Sequence, residues 1–116
     1  MNKKDVDNRQ TACINTKDGV LFEFNYDKNI KLLEEGKIGC ERVITLIENG
    51  AILDIKEHPN QNKYPGQKIY IIEIDGYCWQ VPFIIKDGKR FLKKIIPSRK
   101  ATRDYLRNNN KEKKND

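Results

Sequence analysis

The chain has 116 residues, of which 37% are hydrophobic and 34% are charged, and its formal net charge is +6. This length suits one domain with a small core. No apolar run approaches the roughly 18 residues that a membrane-spanning helix needs, and the charged N-terminus has no apolar segment behind it, which argues against a secretory signal. We therefore expect a cytoplasmic protein with no membrane association.

The chain begins and ends with segments that lack a folding signal. Residues 1–18 show no apolar periodicity and predict a flexible leader, and the polar segment 108–116 predicts a disordered tail. A single domain is expected between them, over residues 19–107. Its first element is a strand over residues 19–24, which has the composition of a β-strand.

Two short amphipathic helices follow this strand. Residues 25–36 place apolar side chains at helical spacing and end at Gly36, and residues 39–50 repeat the pattern and end at Gly50. In the first of these helices, the inward face is expected to carry Tyr26, Ile30 and Leu33.

The periodicity then changes from helix to strand. Residues 51–58 alternate, with Asp54 and Lys56 on one side, and residues 58–67 contain two prolines, a glycine and several amides, which predicts a loop. Asp75-Gly76 between two β-rich runs predicts a hairpin, and Pro82 predicts an edge or a bulge in the second run. A last strand over residues 90–96 leads to a helix that Ser98 caps.

This order of elements predicts an α+β fold. We expect a small antiparallel sheet of four to five strands, two N-terminal helices and one C-terminal helix, with the helices packed on one face of the sheet.

The cysteines argue against covalent or metal cross-links. Cys13, Cys40 and Cys78 are odd in number, widely separated and without a Cys-x-x-Cys pair. Such spacing disfavours both a disulfide framework and a zinc site. We expect reduced core thiols, no metal and no cofactor.

The positive charge is concentrated near the C-terminus. Residues 86–116 carry 12 of the 23 Lys and Arg residues but only 4 of the 17 Asp and Glu residues. On the final helix, a spacing of four residues puts Arg99, Arg103 and Arg107 on one side, with Lys100 beside them and the apolar residues opposite. This pattern favours a polyanionic or acidic partner, although a solvated helix face whose arginines pair with local acids is the alternative.

Metal-free cleavage of RNA offers one specific use for these cations. It needs a proton acceptor for the ribose 2′-OH, cations for the phosphate and a proton donor for the leaving oxygen. Arg99 is the best candidate to clamp the phosphate, with Arg103 and Lys94 in support. Lys56 and His58 leave one strand together, and an imidazole titrates near neutral pH. A lone loop histidine can also be an ordinary surface residue.

Two segments carry a family resemblance. The stretch IIPSRKATRDYL (residues 95–106) resembles the closing segment of the BrnT-type toxins of bacterial toxin–antitoxin pairs, and FEFNYDKNIKLLEEGKI (residues 22–38) is similar to that family's opening segment. Arg99, Lys100 and Thr102 match types in the closing motif, and Lys28 with Asn29 matches a pair in the opening one. The chain departs from the family at Glu35, where a histidine is usual, and at Cys40, near an aromatic position.

The resemblance implies a RelE-like fold and an endoribonuclease that inhibits translation by cutting RNA. This RNA is either free or mRNA associated with the ribosome. It also implies a cognate antitoxin as partner. The catalytic candidates are then Arg99, His58 and Lys56, and the RNA- or partner-binding candidates are Lys94, Lys100, Arg103 and Arg107. The alternative is a non-catalytic module, a degenerate toxin relative that docks an acidic protein or nucleic acid on the same basic face.

Overall fold

The computed structural model describes residues 11–107; residues 1–10 of the predicted leader and the predicted tail over 108–116 lie outside the described residues. Within this range the chain forms seven strands: β1 (Thr11–Asn15), β2 (Leu21–Asn25), β3 (Ile52–Glu57), β4 (Lys68–Ile74), β5 (Tyr77–Lys86), β6 (Lys89–Leu92) and β7 (Ile96–Pro97). Its helices are α1 (Tyr26–Glu34), α2 (Cys40–Glu48) and α3 (Arg99–Ala101), which continues as a π-helix (Thr102–Arg107). We call α3 and the π-helix together the closing helix. Among the described residues, no helix has the length and apolar character to cross a lipid bilayer.

All seven strands join one sheet, in the order β1-β2-β6-β5-β4-β3, and β7 pairs with β5. Neighbouring strands are antiparallel except β2 and β6, which run parallel with Leu21 opposite Lys89. The predicted α+β class is confirmed. The predictions of four to five strands and of a purely antiparallel sheet are wrong, because the first two strands add to the sheet through a pairing between distant parts of the chain.

The strand β1 lies within the segment that was expected to be a flexible leader. It pairs with β2 over its whole length, and only Ala12 and Ile14 turn toward the core. The prediction is therefore wrong for residues 11–15. Two inward apolar residues on an edge strand give too short an alternation to stand out in the sequence.

Both faces of the sheet are covered. On β4, Tyr70 and Ile72 belong to the larger core, which they share with Val43 and Ile44 of α2. Alternate side chains of the same strand point the other way, since successive residues of a strand face opposite sides. There Ile69 and Ile71 form a smaller core cluster with Cys78 and with Ala101 of the closing helix. The expectation that all helices pack on one face is wrong: the closing helix covers the opposite face from α2.

The hairpin at Asp75-Gly76 is confirmed, with φ values of 53° and 83° at these two residues. Positive φ at both central positions is what a tight two-residue hairpin turn requires.

The predicted last strand is divided into β6 and β7 at a position that Pro82 explains. Pro82 lies in β5 opposite Ile69, and its carbonyl accepts a hydrogen bond of 2.8 Å from the backbone N–H of Lys93. Because proline has no N–H to donate on that same side, the ladder cannot continue there. The chain therefore leaves the sheet after Leu92 and returns at Ile96.

Candidate functional site

The closing helix begins as its sequence predicts. Pro97 precedes Ser98, whose Oγ accepts a hydrogen bond of 3.0 Å from the backbone N–H of Ala101. After Ala101 the backbone changes to the wider π-helical pattern, which is rare and often occurs at functional sites. Thr102 fixes this helix to the sheet, because its Oγ1 accepts a hydrogen bond of 2.8 Å from the N–H of Cys78.

Exposure along the closing helix separates its cations from its apolar residues. Ala101 and Thr102 are buried, and Tyr105 and Leu106 are half-buried. The exposed residues are Arg99, Lys100, Arg103, Asp104 and Arg107. The three arginines are therefore all accessible to solvent, as the sequence predicted. The ion pair on this side joins Arg103 Nε to Asp104 Oδ1 at 3.5 Å, and such an exposed pair stabilises the fold by at most about 1 kcal/mol.

A groove of about 240 Å³ lies between the closing helix on one side and β3 on the other, together with the first residues of the loop that follows β3. We call it the β3 groove. Its polar lining consists of Lys56 and His58 from one wall, Lys100, Asp104 and Tyr105 from the other, and Gln80, with Ile69 and Ile71 among its apolar residues. The structure thus brings Lys56 and His58 together with Lys100. Arg99, Arg103 and Arg107 do not line the groove and lie on the exposed side of the helix that forms its wall.

The alternation of β3 explains why its polar side chains reach this groove. Lys56 is paired with Ile69 and Asp54 with Ile71, and both isoleucines belong to the apolar cluster under the closing helix. Side chains that are opposite each other in a sheet lie on the same face. From Asp54 onward, every second residue of β3 therefore points toward the closing helix, and His58 continues the series beyond the end of the strand.

Tyr105 links the two walls of the groove. Its hydroxyl donates a hydrogen bond of 2.5 Å to Asp54 Oδ2. This bond, with smaller effects from burial and nearby negative charge, raises the pKa of Tyr105 from 10.0 to about 12. The phenol therefore stays protonated at neutral pH and acts as a hydrogen-bond donor rather than as a base.

His58 is held in one orientation by its own loop. Its Nδ1 accepts a hydrogen bond of 3.0 Å from the backbone N–H of Asn60, and its ring centroid lies 4.4 Å from that of Tyr64. An imidazole that accepts at Nδ1 carries its proton at Nε2 when neutral. His58 can therefore donate a hydrogen bond from Nε2.

Lys94 lies in a different place from the other candidates. It lines a groove with Lys93 and with Lys28 of α1, and this groove shares no lining residue with the β3 groove. Asn29, the neighbour of Lys28, is buried, and its Oδ1 accepts a hydrogen bond of 2.7 Å from the N–H of Cys40. In the Lys28–Asn29 pair, the asparagine therefore positions the start of α2.

The cysteines differ in their surroundings. Cys40 and Cys78 are buried, whereas Cys13 is exposed, so the expectation of a core thiol is wrong for Cys13. Burial, with a smaller effect of the charge on Glu41, raises the pKa of Cys40 to about 12, and burial also raises the pKa of Cys78. Residues 11–107 contain no cluster of three His, Cys, Asp or Glu side chains arranged to hold a metal ion.

Sequence reasoning missed the contributions of Asp54 and Asp104 to this site. The alternation of residues 51–58 does place Asp54 on the same side as Lys56 and was the available signal. No sequence pattern could pair Asp54 with Tyr105, because they are 51 positions apart. Asp104 is one of the local acids that the alternative interpretation paired with the arginines, and it also lines the groove.

Comparison with known proteins gives no match to this chain, whether among protein-family models, curated proteins or solved structures.

Proposed function

We propose that this protein is the toxin of a toxin–antitoxin pair, an endoribonuclease that holds and cuts RNA in the β3 groove. One observation carries the proposal: Lys56 and His58, which are neighbours in the sequence, line the same groove as Lys100, which lies far from them in the chain. Two ammonium groups and an imidazole are a set of side chains that can hold a phosphate and donate to it.

The shape of the groove and its surroundings suit a chain-like anion. At about 240 Å³ it is smaller than the pockets of roughly 300–1,000 Å³ that enclose small molecules. An RNA strand can lie across such an open groove with one phosphate inside it. Arg99, Arg103 and Arg107 on the exposed side of the same helix then supply further contacts to the sugar–phosphate backbone.

In the proposed reaction the ribose 2′-oxygen attacks the adjacent phosphorus, and the bond from phosphorus to the 5′-oxygen breaks. Lys56 and Lys100 stabilise the charge that develops on the phosphate. The carboxylate of Asp104 accepts the 2′-OH proton and later returns it to solvent. Nε2–H of His58 holds the leaving 5′-oxygen by a hydrogen bond, and that oxygen takes its proton from water. The products are a 2′,3′-cyclic phosphate and a 5′-hydroxyl, and the chemistry needs no metal ion.

The wider identity of the protein follows the resemblance of its opening and closing segments. The motif of residues 95–106 forms β7 and most of the closing helix, which is one wall of the proposed site. A RelE-like fold, action on mRNA in the cytoplasm with loss of translation, and neutralisation by an antitoxin are parts of the same proposal.

A second function, binding without cleavage, is favoured by the hydrogen bonding around His58. A ring that shuttles protons must gain and lose a proton at a nitrogen that faces the substrate, while the other nitrogen keeps its own bond. Here Nδ1 accepts from Asn60, so protonating the ring would place two N–H groups against each other. Under this alternative the groove holds RNA or an acidic protein segment, and His58 only donates a hydrogen bond.

Expression of the protein in bacteria, with matched lysine variants, tests the first function. Lys100→Ala removes a cation from the groove. The control, Lys86→Ala, removes an exposed cation from the β5–β6 hairpin. Lys86 is six residues, or roughly 20 Å, along β5 from Gln80, the residue of β5 that lines the groove. The toxin proposal predicts growth arrest and RNA shortening with wild type and Lys86→Ala, and their loss with Lys100→Ala. Harmless expression of the wild type, together with binding of intact RNA by the purified protein, would instead establish the binding module.

A further inference from the structure

We propose that a second groove, between α1 and residues 93–96, docks an acidic amphipathic segment of a partner protein. This lysine groove has a volume of about 350 Å³ and shares no lining residue with the β3 groove. The inference goes beyond the proposed RNA cleavage and does not depend on it.

The rim of the lysine groove is strongly positive. Lys28 and Lys31 of α1 stand on one side, Lys93 and Lys94 on the other, and all four side chains are exposed. The ion pairs found within residues 11–107 involve none of these four. The acid on the rim, Glu35, is paired with Lys37 at 3.2 Å. A partner must therefore bring carboxylates or another anion to this rim.

The floor of the lysine groove distinguishes a peptide from a nucleic acid. It is aliphatic, formed by Leu32 and Ile95, which are half-buried, and Ile96, which is 38% exposed. Single-stranded RNA is usually held by stacking its bases on aromatic rings. Aliphatic side chains surrounded by cations instead match a segment that has leucine-like anchors flanked by Asp and Glu.

Both walls of the lysine groove are fixed before a partner arrives. Residues 93–95 leave the sheet because Pro82 cannot continue the ladder, and the bond from Lys93 N–H to the Pro82 carbonyl holds them beside it. The buried side chain of Asn29 ties α1 to the first residue of α2. A preformed groove reduces the ordering cost of binding.

The charges of this chain argue against it as its own occupant. Residues 1–10 and residues 108–116 each contain three basic and two acidic residues, so neither segment is acidic. A second copy carries the same net charge of +6, which opposes its approach to the rim. We therefore take the occupant to be a segment of another protein. Because α1 has nine residues, or about 14 Å of helix, a matching amphipathic helix would engage over two to three turns.

A designed peptide tests this docking site on the full-length protein. The probe is a fluorescein-labelled peptide of about three to four helical turns, with leucines at helical spacing and glutamates on both flanks; the matched peptide has every glutamate replaced by lysine. We expect the glutamate peptide alone to bind, with amide NMR shifts centred on α1 and residues 93–96. The double variant Lys93→Glu with Lys94→Glu should weaken binding by about ten-fold or more. The control, Lys63→Glu with Lys86→Glu, makes the same change in net charge on other exposed surfaces.

The outcomes separate this site from the proposed nuclease. Equal weakening by the two double variants would show a general effect of net charge and overturn the proposal. Displacement of the peptide by an oligoribonucleotide whose binding depends on Lys93 and Lys94 would also overturn it, since the surface would then bind nucleic acid. RNA shortening is measured on a second double variant of the same rim, Lys31→Glu with Lys93→Glu. We expect this variant to lose docking and to retain RNA shortening, so that the two losses are distinguished.

Discussion

The hydroxyl of Tyr105 donates a hydrogen bond of 2.5 Å to the carboxylate of Asp54, which lies 51 residues earlier in the chain. This bond connects the π-helical part of the closing helix to β3, one of the two edge strands of the sheet. Since these two elements form the walls of the β3 groove, the bond sets the distance between them.

Removing this hydroxyl should loosen the groove without removing a group that contacts RNA. Tyr105→Phe keeps the aromatic ring over its apolar neighbours and loses the bond to Asp54. We expect the free energy of unfolding to fall by about 1–3 kcal/mol, since the acceptor is charged. Urea denaturation measures the change. Asp54→Asn, which keeps an acceptor oxygen, should cost less, and an equal or larger cost would contradict this role of the bond.

The same bond predicts a loss of stability at high pH. Folding raises the pKa of Tyr105 from 10.0 to about 12, so the folded state holds the phenol proton more tightly than the unfolded chain does. The stabilisation is complete below pH 10 and disappears as the pH rises from 10 to 12.

Denaturation midpoints of wild type and Tyr105→Phe should therefore converge across this range. Burial also raises the pKa of Cys40 and of Cys78, so these thiols contribute to the loss of stability at high pH. Because both proteins contain them, the difference between the two proteins reports on Tyr105 alone. A constant difference between the two proteins from pH 9 to 12 would contradict the assignment.

Thr102 should be needed for the attachment of the closing helix. Its Oγ1 accepts from the buried N–H of Cys78 and donates to the carbonyl of Ser98, both at 2.8 Å. Thr102→Val preserves the shape and removes the acceptor, which should cost about 1–3 kcal/mol of stability.

Thr45→Val in α2 is the matched control for this change. Thr45 also donates to a backbone carbonyl, that of Glu41, but it is exposed, so its substitution should change stability by less than about 0.5 kcal/mol. Thermal denaturation of both variants measures the difference, and similar costs would show that the bond to Cys78 is not the source of the effect.

Asn29 should be more important for stability than its position on a polar helix suggests. Asn29→Ala leaves the N–H of Cys40 at the start of α2 without its acceptor, and we expect a loss of about 1–3 kcal/mol. Asn25 caps α1 by accepting from the N–H of Lys28 in an exposed setting, so Asn25→Ala should cost about 1 kcal/mol. Chemical denaturation compares the two; a smaller cost at Asn29 would contradict this interpretation.

Local signals predicted the elements of this fold better than their pairing. The Asp75-Gly76 turn, the Ser98 cap and the division of the closing helix into a charged and an apolar side all depend on residues within a few positions of one another. The parallel pairing of Leu21 with Lys89 depends on residues far apart and has no local signal.

The inward face of α1 was mispredicted because a polar side chain, not an apolar one, is buried there. The spacing of Tyr26, Ile30 and Leu33 predicted the inward face of α1, yet Tyr26 is 47% and Leu33 is 48% exposed, and Asn29 is buried. An asparagine that is buried to cap another helix cannot be recognised from apolar periodicity. The sequence suggested Lys56 and His58 as candidates. It could not place them opposite Lys100, because that arrangement joins residues far apart in the chain.

The end groups of cut RNA test the central claim most directly. A labelled oligoribonucleotide is incubated with the purified protein in the presence of a chelator, beside the same sequence with 2′-deoxyribose and beside the variant Lys56→Ala with Lys100→Ala. We expect fragments that end in 2′,3′-cyclic phosphate from wild type only, and no cleavage of the deoxy strand. Fragments that the double variant produces at the wild-type rate, or an uncut strand with wild type, would contradict cleavage in the β3 groove.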